Sequence, residues 1–340
     1  MPKEITHWAL AEALVKELPK DSLFYKPIQA FPNLFFLGAI TPDIPFYYLK
    51  GPKLALIQDK STPFHCTDAR SLMPVLEFLD KNPDRDPAVL AFAAGVVCHI
   101  LADTIFHPLV YYFSGMAGLH PGAIARHHQF ETAMDLHFWY LSDDRSRASL
   151  AKIVRNLEIS KTRRNQFMAD LFLLGNRTEM TCLTNALYFH MGLNCLFRSS
   201  IIWRVFDFLN RKTPWVPDRV VGLIYPCKEP VDLPFFRQKF IYRDPCTGAR
   251  SSTGIQKMIQ ETSTAGKKVL DLLSSSMSRG RRATKILDDP DLPMIRPVLP
   301  KDTFYFWREI NELEQQLYKG LDHHGSYFSQ KNRRLWANDR

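Results

Sequence analysis

The sequence predicts an all-α fold, a single multi-helix domain of packed helices, on three observations. Apolar residues recur at helical spacing over 5–18 and fill 87–112 almost all round. No stretch of any length alternates apolar and polar residues as a half-buried strand does. Prolines and glycines fall between the apolar stretches, at Pro19, Pro42, Pro45, Pro83, Pro87 and Gly115, where helices are expected to stop or start.

In chain order, Ile5, Trp8, Leu10, Leu14, Val15 and Leu18 make one face of a helix that ends before Pro19. Residues 31–49 are apolar but cut by Pro32, Pro42 and Pro45, and predict a loop or short helical turns. Asp43 there stands between two prolines, which restrict its backbone and so position its carboxylate. His65 is expected to open a helix running through Leu79, and 82–87 is a turn. The stretch 87–112 is apolar on every face, the pattern of a fully buried helix, yet it carries His99 and Asp103 in its middle. A loop at 114–122 leads to a helix over 123–141, and further long helices are expected over 145–210. Residues 213–250 form a Pro- and aromatic-rich connection, long enough to be an ordered insert. Helices are expected over 254–277 and 302–321, separated by a basic and then Pro-rich stretch. The organisation expected is a helical core over 1–212, with the insert and C-terminal helices of 213–340 packing on it.

Composition narrows the function classes. With 46% hydrophobic and 12% aromatic residues, the chain has ample material for a sizeable core. A formal net charge of +9 favours phosphate-bearing partners without choosing among lipid headgroups, nucleotides and nucleic acid. No GxGxxG or GxxxxGK[ST] motif supplies a phosphate loop. The six cysteines form no CxxC, and read as reduced thiols, which suits a cytosolic chain. The N-terminal stretch reads as an amphipathic helix rather than a secretory signal, and no apolar run reaches the length of a membrane span, the longest stopping at His99. A cytoplasmic protein is therefore expected, with peripheral membrane contact left open.

The chemistry concentrates in Val97–Asp135. His99 and Asp103, Asp103 and His107, and His127 and Glu131 are each four residues apart, so on helices each pair shares a face. Imidazole nitrogens and carboxylate oxygens are good ligands for zinc and related cations, and two such rows on facing helices make a metal site inside a bundle. One His four residues from a carboxylate is ordinarily a satisfied pair. Three such spacings close together, one of them inside an apolar helix, point to metal, because an ionised aspartate there costs several kcal/mol unless paired or coordinated. His128 faces away from His127, and His120, His137, His190, His323 and His324 keep ordinary packing, loop or surface roles. Asp135 is either an orienting partner of a ligand or a surface charge. The run Arg279, Arg281 and Arg282 reads first as a solvated loop.

THW at 6–8, GAITPDIP at 38–45, FH at 64–65, HILADTIFHP at 99–108 and RHHQFE at 126–131 occur together and in this order. This set resembles the zinc-dependent phospholipase C family of bacteria, over roughly residues 3–140, with a weaker echo in RDPCTG at 243–248. The resemblance implies a fold of the phospholipase C and nuclease type. It also implies two or three Zn2+ ions: one held by His65, His99 and Asp103, a second by His107, His127 and Glu131, and a third by His7 with a bridging Asp103. Asp43 is implied as the catalytic carboxylate that orients or deprotonates the attacking water. In secreted members the processed N-terminal residue itself ligates the third zinc, whereas six residues precede His7 here.

The activity expected is zinc-dependent hydrolysis of a phosphodiester, with a phospholipid or soluble headgroup analogue as substrate and no specific nucleic-acid partner. Two alternatives stand beside it: a single-strand nuclease or nucleotidase, and a catalytically silent, metal-stabilised helical binding protein.

Overall fold

The computed structural model describes residues 3–65, 69–84, 86–115, 123–141, 149–212, 220, 222–225, 234–245 and 247–293. Helices α1 (Glu4–Glu17), α2 (Tyr25–Ala30) and α3 (Pro32–Gly38) open the chain, followed by a 3-10 turn over Thr41–Tyr47 and α4 (Leu54–Asp59). After two more 3-10 turns come α5 (Met73–Lys81), α6 (Pro87–Ser114), α7 (Ala123–Leu141), α8 (Leu150–Arg155), α9 (Lys161–Leu171), α10 (Arg177–Phe197) and α11 (Ser200–Lys212). The short α12 (Pro234–Arg237) precedes a two-stranded hairpin, β1 (Phe240–Arg243) and β2 (Arg250–Thr253), and then α13 (Ile255–Ser278). The helix expected over 302–321 lies outside the described residues, as does most of the connection at 213–233.

Local chemistry sets many of these boundaries. Asp86 caps α6 by accepting from the Ala88 amide at 2.8 Å, with Pro87 in the first helical position. Gly115, at φ 77°, ends that helix in a conformation costly to other residues. Asn176 caps α10 through the Glu179 amide at 3.0 Å, while the Glu179 carboxylate returns to the Gly175 amide at 3.0 Å.

Helix α6 is the central strut. It packs against α1, α2, α3, α5, α7 and α13, and all but a few of its residues are buried. It is long and apolar enough to cross a bilayer, but 94% of its most apolar window lies inside the protein, so it reads as a core helix. Its contact with α3 is unusually close. A Cβ on Gly95 would stand 2.1 Å from the Phe35 carbonyl oxygen, and one on Gly38 would stand 2.3 Å from that of Phe92. Only glycines permit this approach.

The stretch 31–49 folds as short helical turns, α3 and then the 3-10 turn that contains both Pro42 and Pro45. Two expectations are corrected. His65 closes a 3-10 turn over Thr62–His65 instead of opening a helix, and the helix that follows begins at Met73. A β-hairpin exists where none was expected. Phe240 and Tyr242 turn inward to Phe113 and Tyr112, Ile241 is exposed between them, and β2 (RSST) is too polar to show an apolar alternation. Beyond β1 the Gly248 amide donates to the Asp244 carbonyl at 2.7 Å, with Gly248 at φ 70°.

Candidate metal centre

The α3–α6 approach positions the first imidazole. One turn after Gly95, His99 reaches the Ala39 carbonyl with Nδ1 at 2.8 Å. A carbonyl only accepts, so Nδ1 carries a proton and Nε2 is aimed the other way. His65 is held in the same manner, its Nδ1 donating to the Ser61 carbonyl at 2.8 Å, while the Ser61 hydroxyl donates to the Pro42 carbonyl and ties this turn to the one carrying Asp43.

Both Nε2 atoms converge on the same carboxylates. His65 Nε2 lies 3.1 Å from Asp103 Oδ2 and 3.4 Å from Asp43 Oδ1, and His99 Nε2 lies 3.3 and 3.4 Å from the same two atoms. The other oxygen of Asp103, Oδ1, faces His7 Nε2 at 3.5 Å, and the His7 ring stacks on His99 with centroids 4.1 Å apart. Asp43, His65, His99 and Asp103 each offer a ligand atom within 4.8 Å of the others, and so do His107, His127 and Glu131. In the second group His127 Nε2 sits 2.7 Å from Glu131 Oε1. The structure thus gathers all eight of the residues singled out by sequence, and it places Asp43 among the candidate ligands of the first group.

These atoms suit a cation. Among the described residues, no hydrogen bond of normal geometry satisfies His65 Nε2, His99 Nε2, Asp43 Oδ1, either oxygen of Asp103 or either nitrogen of His107, and all are buried. Buried polar atoms are normally paired, so an ensemble of lone pairs facing inward marks an ion site. The donors are imidazoles and carboxylates with no thiolate, a set that zinc accepts.

Without a metal, protons supply the missing positive charge in the first group. Burial alone would lower the pKa of His65 and of His99. The adjoining carboxylates of Asp103 and Asp43 outweigh it, and lift His65 to about 9 and His99 to about 10. Against burial, the imidazoles hold both Asp43 and Asp103 below the usual carboxylate range. The second group behaves differently: burial keeps His107 and His127 below the ordinary imidazole range and therefore neutral at pH 7. Burial, with His99 beside it, takes His7 down to about 4.

A second polar cluster supports the first. Asp135, fully buried on α7, accepts from the amides of Ile5 and Thr6 at 3.2 and 2.8 Å, from the Thr6 hydroxyl at 2.5 Å and from the Tyr225 hydroxyl at 2.7 Å. It thereby caps α1, which lacks a cap of its own, and fixes His7 relative to the α7 ligands. Lys3 donates to Thr132 Oγ1 at 2.9 Å and lies 4.2 Å over the Tyr225 ring. Glu4 is hydrogen-bonded to His190, whose ring stacks on Tyr47 at 3.5 Å. Arg126 donates through Nε to the Ser114 carbonyl at 2.8 Å, docking α7 on the C-terminal end of α6.

Of these, only Asp135 and His190 were weighed from sequence, Asp135 as an even choice and His190 as a packing residue. Arg126 beside His127 carried a signal, because a fully buried arginine needs an acceptor, but the acceptor was not readable. His137 is buried against Phe138 and Phe236; His120, His323 and His324 lie outside the described residues.

Both ligand groups line a cavity of about 440 Å3. Asp43, His65, His7, His107, His127 and Glu131 contribute to its polar lining, and Phe46, Leu49, Leu193, Phe197 and Leu223 to its apolar walls.

No curated protein and no solved structure matches the chain. A family model described as zinc dependent phospholipase C does match, over residues 6–177. That span is just over half of the chain and contains every candidate ligand as well as the Gly38–Gly95 contact. The chain belongs to the zinc-dependent phospholipase C family.

Proposed function

We propose that this chain is a zinc-dependent phosphodiester hydrolase acting on a phospholipid or on a molecule carrying the same headgroup phosphodiester. The observation that carries it is the meeting of two imidazole–carboxylate groups with apolar walls in one cavity. His65, His99 and Asp103 would hold one ion, with Asp43 beside it; His107, His127 and Glu131 would hold a second; and His7 with the other edge of Asp103 would take part in a third. Zinc supplies Lewis-acid charge for the phosphate oxygens and lowers the pKa of water to near neutrality. The chain's own residues do the rest. Asp103 presents its two oxygens to opposite imidazoles and keeps the groups in register. Asp43, which borders both the cluster and the cavity, is placed to take the proton of the attacking water. The imidazoles that hold it below the usual carboxylate range keep it ionised but also make it a weaker base, so position carries the assignment. Phe46, Leu49, Leu193 and Phe197 exclude bulk water and accept the apolar part of the substrate. Such walls favour a lipid over a nucleic-acid strand, whose every nucleotide adds a charge.

The test is an assay of zinc-loaded protein on p-nitrophenyl-phosphorylcholine and on single-stranded DNA, with metal content measured in parallel. Turnover of the first without digestion of the second is expected, and Asp43→Asn should lower it by about 10²–10⁴-fold. Digestion of DNA instead would favour the nuclease. Full zinc content with no turnover of any phosphodiester would leave the silent binding protein standing.

A further inference from the structure

Helix α11 has an anomalous outer face. Its inner residues Ile202, Trp203 and Phe206 pack on the core. The opposite side of a surface helix is ordinarily polar. Here Ile201, Val205 and Phe208, at spacings of four and three, are 70, 46 and 61% exposed. Arg204 lies exposed among them. This stripe starts four residues beyond Phe197, a wall of the cavity, and across that wall Phe46 and Leu49 are 38 and 56% exposed. Exposed apolar side chains gathered in this way mark a contact surface.

The geometry points to the surface of an anionic phospholipid bilayer as the occupant of this face, with the α11 stripe and the Phe46–Leu49 rim seated in the interface so that lipid enters the cavity without crossing water. The inference rests on the phospholipid reading of the cavity. Charge complementarity selects a lipid surface. Lys50 beside the rim and Arg204 on α11 are exposed, whereas Lys53 is paired with Glu179 at 3.2 Å; in sequence α11 carries Arg204, Arg211 and Lys212 against Asp207 alone. An apolar stripe beside basic residues is what lies stably at the boundary of headgroups and acyl chains, where a second protein surface would need matching acids.

The experiment is flotation of the full chain with large vesicles of phosphatidylcholine, with and without phosphatidylserine, before and after removal of metal by EDTA. Binding is expected on the serine-containing vesicles, weaker at high salt and insensitive to EDTA. Ile201→Ser/Val205→Ser/Phe208→Ser should lower the bound fraction at least about tenfold. Arg204→Gln should lower it about fivefold on the anionic vesicles alone. All variants should keep the melting temperature and the turnover of a soluble substrate, since none of these side chains reaches the cavity. Wild-type protein that stays in solution with both vesicle types, or a triple variant that floats like wild type, overturns the inference. So does a triple variant that changes only the oligomeric state, which would make the face a contact between copies. A chain that floats but hydrolyses no phosphodiester would sink the hydrolase reading and leave the docking surface intact.

Discussion

Two buried polar clusters meet at α1, and they are built on opposite rules. Around Asp135, donors match the acceptor's needs: two amides and two hydroxyls converge on one carboxylate. Around Asp103, the Nε2 atoms of His7, His65 and His99 face the carboxylate oxygens at 3.1–3.5 Å, and among the described residues no backbone amide or hydroxyl donates to either oxygen. Both clusters are buried, and both contain an aspartate in an interior where an unpaired charge costs several kcal/mol. The first is complete as folded and acts as a brace. The second balances its carboxylates with protons on the imidazoles, which a cation can displace, and so is a candidate receptor. Burial alone does not distinguish them; the count of donors against acceptors does.

The sharpest way to break this contrast is Asp103→Asn. The amide keeps the shape of the carboxylate but removes the charge shared by His7, His65 and His99. Turnover is expected to fall on the order of 10³-fold, and the rise in melting temperature that zinc gives the wild type should disappear. A variant that still gains stability from zinc as the wild type does would show that Asp103 is not central to the receptor.

Asp135→Asn is the mirror experiment. It should lower unfolding free energy by about 2–4 kcal/mol, because the amide nitrogen cannot accept from the donors that one carboxylate oxygen now satisfies and the cap on α1 is weakened, in the metal-free and the zinc-loaded protein alike. The stabilisation added by zinc should survive. Thermal or denaturant melts with and without EDTA measure both effects. If Asp135→Asn abolished zinc uptake as fully as Asp103→Asn, the two clusters would be one functional unit and the distinction between brace and receptor would fail.

What sequence revealed, and what it did not, follows the same division. The rows on α6 and α7 were legible because an i,i+4 spacing is local and a charge inside an apolar helix has few explanations. The meeting of Asp43 and His65 with those rows depends on the close approach of Gly38 and Gly95, a contact between residues far apart in the chain that no spacing encodes; only the resemblance of ordered blocks anticipated it. The brace was illegible for a plainer reason. Thr6, Asp135 and Tyr225 are ordinary residues in isolation, and their roles come from partners about 90–130 positions away. The hairpin escaped notice because each strand has four residues and only one alternates in burial.

The smallest effect separates the two ligand groups from each other. In the metal-free protein His65 and His99, raised to about 9 and about 10, carry protons at neutral pH, whereas His107 and His127 do not. Each raised imidazole contributes stability that is full below its unfolded pKa of about 6.5 and is lost as pH climbs through 9–10. The metal-free form should therefore weaken toward alkaline pH. Zinc must displace these protons, because only a neutral imidazole ligates. Filling the first group is expected to release about two protons near pH 7.5, and filling the second almost none. Calorimetric titrations in buffers of different ionisation enthalpy count them directly. The apparent affinity of the first group should rise with pH and level off once pH passes about 10, while that of the second is nearly flat across the same range. Equal proton release from both groups would mean that Asp43 and Asp103 do not hold His65 and His99 in the charged form, and that the receptor's positive charge comes from elsewhere.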